Sequence, residues 1–237
     1  MPDMFRFKQF DVDQSGCAMK INTDGVLLGA MAEACNPAAI LDIGTGTGVI
    51  ALMLAQKFAI AKIDAVEIDA AAAKTADNNF KASRFANRLA VYHLDFERYF
   101  DERPGKKYDL VISNPPFYID SLKSPGEKKT LAKHTDTDFF KTLIKSIALH
   151  LTPNGCCWLI LPVHIIDVVT AIGAAFNIFL QKLIYVHSYE HSRAHRVVLC
   201  LGFNKVSPEN SKFIIYEAVG VYSKEYKQLL QPYFIAF

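Results

Sequence analysis

From residue 38 onward, short apolar runs rich in β-branched residues alternate with longer segments whose apolar side chains recur at helical spacing. The runs over 39–43, 62–66, 89–93 and 108–112 predict strands, and the segments 48–58 and 70–83 predict joining helices. Strands that are apolar at nearly every position are buried on both faces, as in a parallel sheet covered by helices. The alternation continues with a helix over 139–151, a turn at Pro153-Asn154-Gly155, a strand over 157–161 and a helix over 165–176. Two more strands are expected at 183–186 and 197–203, and the chain closes with an apolar triplet at 214–216 and an amphipathic segment at 222–230. Seven strands with intervening helices make an α/β fold around a mostly parallel sheet. A chain of 237 residues suffices for one such domain, 1–237, with 1–37 as an extension ahead of the first strand.

The first strand ends in Asp42-Ile43-Gly44-Thr45-Gly46-Thr47-Gly48, immediately before an apolar helix. Glycines there let the backbone turn tightly and approach a ligand, and the helix that follows offers free N–H groups. A dinucleotide loop would need glycine at position 49, where this chain has Val49. The D-x-G-x-G-x-G spacing instead resembles the first motif of the S-adenosylmethionine-dependent methyltransferases of the Rossmann-like class. That cofactor carries an amino acid and a sulfonium cation in place of a pyrophosphate, so Asp42 suits the loop. Glu67 ends the second strand, where a carboxylate can accept both ribose hydroxyls, and Asp95 follows the third, placed for an adenine amine. Ligands of parallel sheets sit beyond the carboxyl ends of the strands, so Asp42, Glu67, Asp95 and Asn114 are expected along one edge.

The fourth strand leaves through Ser113-Asn114-Pro115-Pro116-Phe117-Tyr118. Methyl transfer to a planar amino nitrogen requires that nitrogen to become tetrahedral. Asn114 can accept one N–H through its side-chain oxygen while the Pro115 carbonyl accepts the other. The two prolines stiffen this geometry, and neither has an N–H of its own. Phe117 supplies a face for the target base. The motif resembles the [N/D]-P-P-[F/Y/W] signature of amino methyltransferases, which serve adenine N6, guanine N2 of ribosomal RNA and glutamine N5 of proteins. It leaves those substrates open, as it does a catalytically silent cofactor- or RNA-binding module.

The flanks narrow the choice. Met19, Lys20, Thr23, Asp24, Gly25, Leu27, Leu28, Gly29 and Ala30 fit the pattern M-K-[VI]-x-T-D-[GA]-[VT]-L-L-G-A, and "KHTDTDFF" at 133–140 fits [RK]-H-[TS]. With the ending "GVYSKEYKQLLQPYFIAF", these stretches resemble the bacterial tRNA1(Val) (adenine-37-N6)-methyltransferase family. The resemblance implies the Rossmann-like methyltransferase fold with its last strand antiparallel, S-adenosylmethionine as cofactor and a tRNA anticodon loop as partner. It makes residues 1–37 a flank to substrate and cofactor. It implies Asn114, Pro115 and Phe117 as catalytic residues, and Thr23, Asp42, Gly44, Gly46, Gly48, Glu67, Asp95, Phe96 and Asn114 as cofactor-binding. Lys20, Lys133, His134 and Arg193 are the expected substrate contacts. A protein methyltransferase acting on glutamine typically adds an N-terminal helical domain, for which 37 residues leave little room.

Composition alters this picture little. The formal charge of +2 is too small to name a nucleic-acid partner, so an RNA reading rests on local clusters. Arg6 and Lys8 alternate with Phe5, Phe7 and Phe10; Lys123, Lys128 and Lys129 follow the proline motif; Arg193, His195 and Arg196 lie between the last two strands. Each cluster could hold phosphate. Five cysteines without a C-x-x-C pair read as buried thiols in a reducing compartment, and His187, His191 and His195 lack the partners of a metal site. The N-terminus lacks the apolar run of a signal peptide, and the later apolar stretches are too short or too interrupted to span a bilayer. A soluble, cytoplasmic, monomeric protein without membrane or metal partners is expected.

Overall fold

The computed structural model describes residues 3–115 and 128–237, with side chains over 3–115 and 137–237. Strands β1 (Met4–Arg6) and β2 (Asp11–Asp13) form a small hairpin, followed by helix α1 (Thr23–Met31). The alternating part begins with β3 (Ala39–Ile43), α2 (Val49–Lys57), β4 (Lys62–Glu67), α3 (Ala70–Ala82), β5 (Leu89–His93), α4 (Phe96–Asp101) and β6 (Tyr108–Ser113). It continues through α5 (Lys128–His150), β7 (Leu151–Pro162), α6 (Ile166–Ala175), β8 (Phe179–His187) and β9 (Ala194–Gly202). The chain ends with β10 (Glu209–Ile214), a hairpin of β11 (Tyr216–Ala218) and β12 (Val221–Tyr222), and α7 (Lys224–Leu230).

One eight-stranded sheet carries the fold, in the order β10-β8-β9-β7-β6-β3-β4-β5. Among its strands only β9, the last of the seven expected ones, runs antiparallel to its neighbours β7 and β8. The eighth strand was not expected. β10 reads ENSKFI, mostly exposed and without apolar alternation, and it enters by backbone pairing parallel to the edge of β8. The turn at Pro153-Asn154-Gly155 appears as a bulge within β7. Leu151 pairs with Tyr108 and Cys156 with Leu110, so residues 152–155 leave the ladder between them.

Register decides where ligands can sit. Ile43 pairs with Val66 of β4 and with Ser113 of β6, and Glu67 pairs with His93 of β5. The carboxyl ends of four strands are therefore level. The order also reverses at β3: the chain proceeds outward to β4 and β5, then returns to β6 on the other side. Such a switch point leaves a crevice between two loops that diverge to opposite faces.

Each face of the sheet has its own core. One holds α1, α2 and α3 together with Phe7, Phe10, Val12, Tyr226 and Leu230; the other holds α4, α5 and α6 with Tyr99, Phe140, Leu143, Ile147 and Val169. Helix α1 belongs wholly to the first. Asn22 caps it by accepting from the Gly25 N–H at 2.9 Å, and every residue from Gly25 to Met31 is buried. Residues 3–37 thus build part of the main core, and burying side chains such as Leu27 and Leu28 contributes roughly 1.5–3 kcal/mol each. The two chain ends are tied together as well. Phe7 bridges Phe234, and the Lys8 amine donates to the carbonyls of Gln231 and Phe237.

Arg88 closes the far end of α2. Its guanidinium donates to the carbonyls of Ala55, Phe58 and Ala61 at 2.6, 3.0 and 2.8 Å, joining the end of α2 to its exit turn. Replacing this fork by Arg88→Met is expected to remove about 2–4 kcal/mol, since charge-assisted bonds to half-buried acceptors are the stronger ones. In urea unfolding, the midpoint should fall while the denaturant slope stays constant.

Candidate functional site

The glycine loop leaves β3 with Gly44, Gly46 and Gly48 at φ +73°, +57° and +84°. Three left-handed residues in five are accessible at little cost only to glycine. A Cβ at Gly48 would stand 2.5 Å from the Phe80 ring, so α2 sits too close to α3 for any side chain there. At Gly44 and Gly46 the same test meets nothing within 4 Å. The loop backbone therefore borders open space rather than packed protein. Its conformation is held from behind by the Gly44 and Thr45 N–H groups, which donate to the Val66 carbonyl at 2.8 and 3.1 Å.

Two acids stand under this loop. Asp42 is fully buried; its Oδ2 accepts from the Thr45 hydroxyl at 2.6 Å, while Oδ1 has no well-formed hydrogen bond among the described residues. Burial pushes its carboxyl up to about 7, the charge of Glu67 adds to this, and the Thr45 hydroxyl and Ala51 amide oppose it. A buried carboxylate with a spare oxygen suits a cationic group such as an amino acid's ammonium. Glu67 accepts the Gly46 N–H at 2.8 Å and the Asp69 N–H at 2.9 Å, one on each oxygen. Each oxygen keeps a second lone pair for a hydroxyl donor. These features fit a nucleoside that carries a cationic amino acid.

Farther along the edge, Asp95 caps α4 by accepting the Arg98 N–H on Oδ1 at 2.8 Å. Its Oδ2 makes no hydrogen bond to the described side chains or backbone. Phe96 is half-buried and meets Phe139 edge to face, with centroids 5.9 Å apart.

Across the switch point, the Ser113 hydroxyl donates to the Ile43 carbonyl at 2.8 Å and pins the end of β6 to that of β3. Asn114 follows half-buried, and Pro115 is buried. The first turn of α1 lies against this exit. A Cβ on Gly25 would come 3.7 Å from Asn114 Nδ2, ordinary contact distance, which agrees with the Gly-or-Ala choice in the sequence pattern. Thr23 is exposed in that turn, and Asp24 pairs with Arg196 of β9 at 2.8 Å. Gly25, Asp24, Arg196 and Ser113 support the site, yet sequence reasoning assigned them no supporting role. The T-D-G triplet was their visible signal, because only an α1 docked beside β6 brings it to Asn114.

The substrate contacts are distributed differently from expectation. Lys20 pairs with Asp3 at 2.9 Å, with both side chains half exposed, so its charge is partly answered. Lys8 spends its donors on the C-terminal carbonyls, and Phe7 and Phe10 are core residues, so the expected basic-aromatic lead is largely structural. Phe117 lies outside the described residues, as do the side chains of Lys133 and His134. Their backbone belongs to α5, which begins at Lys128, where a polar loop reaching to residue 137 was expected. Arg193 is exposed between β8 and β9, with no ion pair among the described residues. Those residues contain no cluster able to hold a metal and no helix long and apolar enough to cross a membrane.

Residues 21–178 match the methyltransferase small domain family. The chain is 45% identical over 237 residues to the tRNA1(Val) (adenine(37)-N6)-methyltransferase of Pedobacter heparinus, covering 100% of both chains. A protein of the same name from Flavobacterium psychrophilum is 39% identical over 233 residues, 98% of this chain and 99% of the relative. Among solved structures, a predicted O-methyltransferase from Agrobacterium tumefaciens, protein Atu636, aligns with a TM-score of 0.70 at 16% identity, over 89% of this chain and 96% of that one. TrmN from Thermus thermophilus aligns at 0.54 and 16% identity, over 70% of this chain and 43% of that one. Identities this low establish the shared fold alone.

The raised Asp42 carboxyl has a measurable sign. Between its ordinary value of 3.8 and about 7 the folded, ligand-free protein binds more protons than the unfolded chain. Asp42 therefore makes the fold less stable as pH rises through that window. The difference in melting temperature between wild type and Asp42→Asn should shift against the wild type from about pH 4 to pH 7. A difference that is flat with pH would show that Asp42 titrates normally.

Proposed function

This chain belongs to the tRNA1(Val) (adenine(37)-N6)-methyltransferase family, and we propose that it methylates N6 of adenine 37 in that tRNA through the residues meeting at the carboxyl edge. One observation carries the residue assignment: Asn114 and Pro115 leave β6 directly across the switch point from the glycine loop of β3. S-adenosylmethionine, when bound, supplies the methyl group from its sulfonium. Asp42 and the loop glycines hold its amino acid, Glu67 accepts its ribose hydroxyls, and Asp95 with Phe96 holds its adenine. Thr23, exposed two residues before Gly25 in the first turn of α1, closes the same pocket.

Asn114 Oδ1 and the Pro115 carbonyl each accept one N6–H. That aims the nitrogen lone pair and draws the planar amine toward a tetrahedral form. Alignment of this kind can supply roughly 7–11 kcal/mol of a barrier. The methylated nitrogen carries a positive charge and releases a proton to water, so no strong base is needed. Phe117 lends a stacking face to the target ring. The adenine of an anticodon loop is already unpaired, so presenting it costs less than the few kcal/mol of flipping from a duplex. Arg193 contacts the RNA backbone, and Lys20, Lys133 and His134 are further substrate contacts in this reading. The protein acts as a cytoplasmic monomer without a metal.

The glutamine-N5 and guanine-N2 alternatives lose ground to full-length similarity with relatives named for adenine 37. The silent-module alternative is opposed by an intact Asn114-Pro115 exit. Labelled S-adenosylmethionine and tRNA from cells lacking this gene should yield N6-methyladenosine after digestion; N2-methylguanosine alone, or label in protein, would refute the reading.

Asn114→Ala should lower kcat by at least 100-fold with cofactor affinity within about threefold of wild type, read by turnover and calorimetry. Full activity would remove Asn114 from the mechanism. Asp95→Asn keeps an oxygen for the α4 cap but replaces the free carboxylate oxygen. It is expected to weaken cofactor binding by about 10-fold or more, the effect of one charge-assisted hydrogen bond, with little change in thermal stability.

A further inference from the structure

The carboxyl edge continues beyond the site just described. β7 and β8 both run antiparallel to β9, so β8 ends at the same edge as β6. Its last residue, His187, pairs with Ile214 of β10, and the β11–β12 hairpin rises from there. From β6 to β8 there are three strand spacings of about 4.8 Å, and the pairing of Ser113 with Leu159, Leu159 with Leu199 and Leu199 with Leu183 sets His187 roughly 10 Å of strand rise beyond the level of Asn114, so the end of β8 stands ~17 Å from Asn114. That is about five nucleotides of a stacked strand at a rise of 3.4 Å.

A run of four tyrosines leads from the core to this part of the edge. Tyr226 is 4% exposed and stacks on Tyr222 at 4.6 Å and 7°. Tyr222 stacks on Tyr216 at 5.1 Å and 22°, and Tyr216 lies 5.6 Å from Tyr189, which is 39% exposed. The β8–β9 turn anchors the backbone that carries this outermost ring. The Ser192 hydroxyl donates to the Tyr189 carbonyl at 2.8 Å and accepts its N–H at 3.0 Å, while His187 Nδ1 lies 2.6 Å from the Ser192 carbonyl. Lys212 of β10 reaches the same turn and pairs with Glu190 at 2.8 Å.

The charges around Tyr189 are sorted. Lys212 neutralises Glu190 and Asp24 pairs with Arg196, whereas Arg193, His191 and His195 are exposed on the turn and its strand. Glu217 is a further acid in this region, exposed at the irregularity of β11 between Tyr216 and Ala218. A half-exposed ring on an anchored backbone, backed by stacked rings and followed four residues on by an exposed guanidinium without an ion pair among the described residues, suits a nucleobase and its phosphate. A protein partner would call for a broad apolar patch instead.

We propose that Tyr189 is a stacking platform, and Arg193 its phosphate contact, for an unpaired nucleotide of the anticodon loop a few positions from the methylated adenine. This rests on the tRNA methyltransferase function proposed above and names how that substrate is gripped. Tyr189 touches neither cofactor nor target base, so it acts on RNA affinity and not on the chemical step.

The test uses the full chain, an unmodified anticodon stem-loop RNA with fluorescence anisotropy as readout, and methylation kinetics beside it. Tyr189→Ala should raise the Kd and the KM for RNA by about 10-fold, with kcat and cofactor affinity unchanged. Tyr189→Phe should restore binding and Tyr189→Leu should not, whereas a merely structural contact with Tyr216 would be rescued by both. Arg193→Gln should weaken binding and reduce the salt slope by about one. Unchanged RNA affinity in Tyr189→Ala, or rescue by Tyr189→Leu, would overturn the platform. A wild type that binds the RNA without methylating it would instead overturn the proposed reaction and leave the platform standing.

Discussion

The parallel pairing of β3 with both β4 and β6, in register at Ile43, is the constraint on which the site depends. It brings Val66 and Ser113 level with Ile43, so the next residue of each strand, Gly44, Glu67 and Asn114, emerges at one height. The Ser113 hydroxyl locks that level by bonding the Ile43 carbonyl. A slip of one residue would turn each side chain to the opposite face of the sheet. Asn114 would then leave on the wrong side of the crevice, and Asp42 would trade its place with a core residue.

Holding two carboxylates under one loop costs stability. Asp42 sits wholly out of water beside Glu67, with one oxygen unanswered and its ionised form disfavoured. Backbone groups offset part of the cost, since Glu67 is satisfied by the Gly46 and Asp69 N–H groups. The three left-handed glycines are the means by which the loop reaches that arrangement. The edge is therefore organised for a cationic, hydroxyl-bearing ligand at the expense of the ligand-free fold. Toward the start of β4, Asp64 is treated otherwise: its Oδ2 accepts from Tyr99 and Tyr108 and pairs with Lys106.

The two chain ends cooperate in shaping the flanks of the edge. The N-terminal hairpin and the residues after α7 pack together through Phe7, Phe234 and Lys8, while α1 packs on α2, β7 and β9 and leans on Asn114. The C-terminal β10 and its hairpin extend the sheet edge past β8 and carry the tyrosine run outward. The carboxyl-edge constellation and the tyrosine run thus occupy separate parts of one surface. The first is built by strand register, the second by rings of the β8–β9 turn, the β11–β12 hairpin and α7 stacked on one another.

Sequence alone determined the features whose cause is local. Left-handed turns demand glycine, so Gly44, Gly46 and Gly48 announced the loop; two prolines cannot continue a strand ladder, so the end of β6 at Ser113 was legible; near-continuous apolar strands implied a parallel sheet with buried faces. Tertiary structure alone decided what depends on distant neighbours. From Gly25 to Met31 helix α1 is apolar all round and shows no amphipathic period, because that stretch is buried throughout. β10 is polar and pairs through its backbone, which its side chains do not reveal. Lys8 looked free for phosphate until the C-terminus folded onto it. Tyr189, Tyr216, Tyr222 and Tyr226 are spread over 38 residues, and only the pairing of β8 with β10 stacks them.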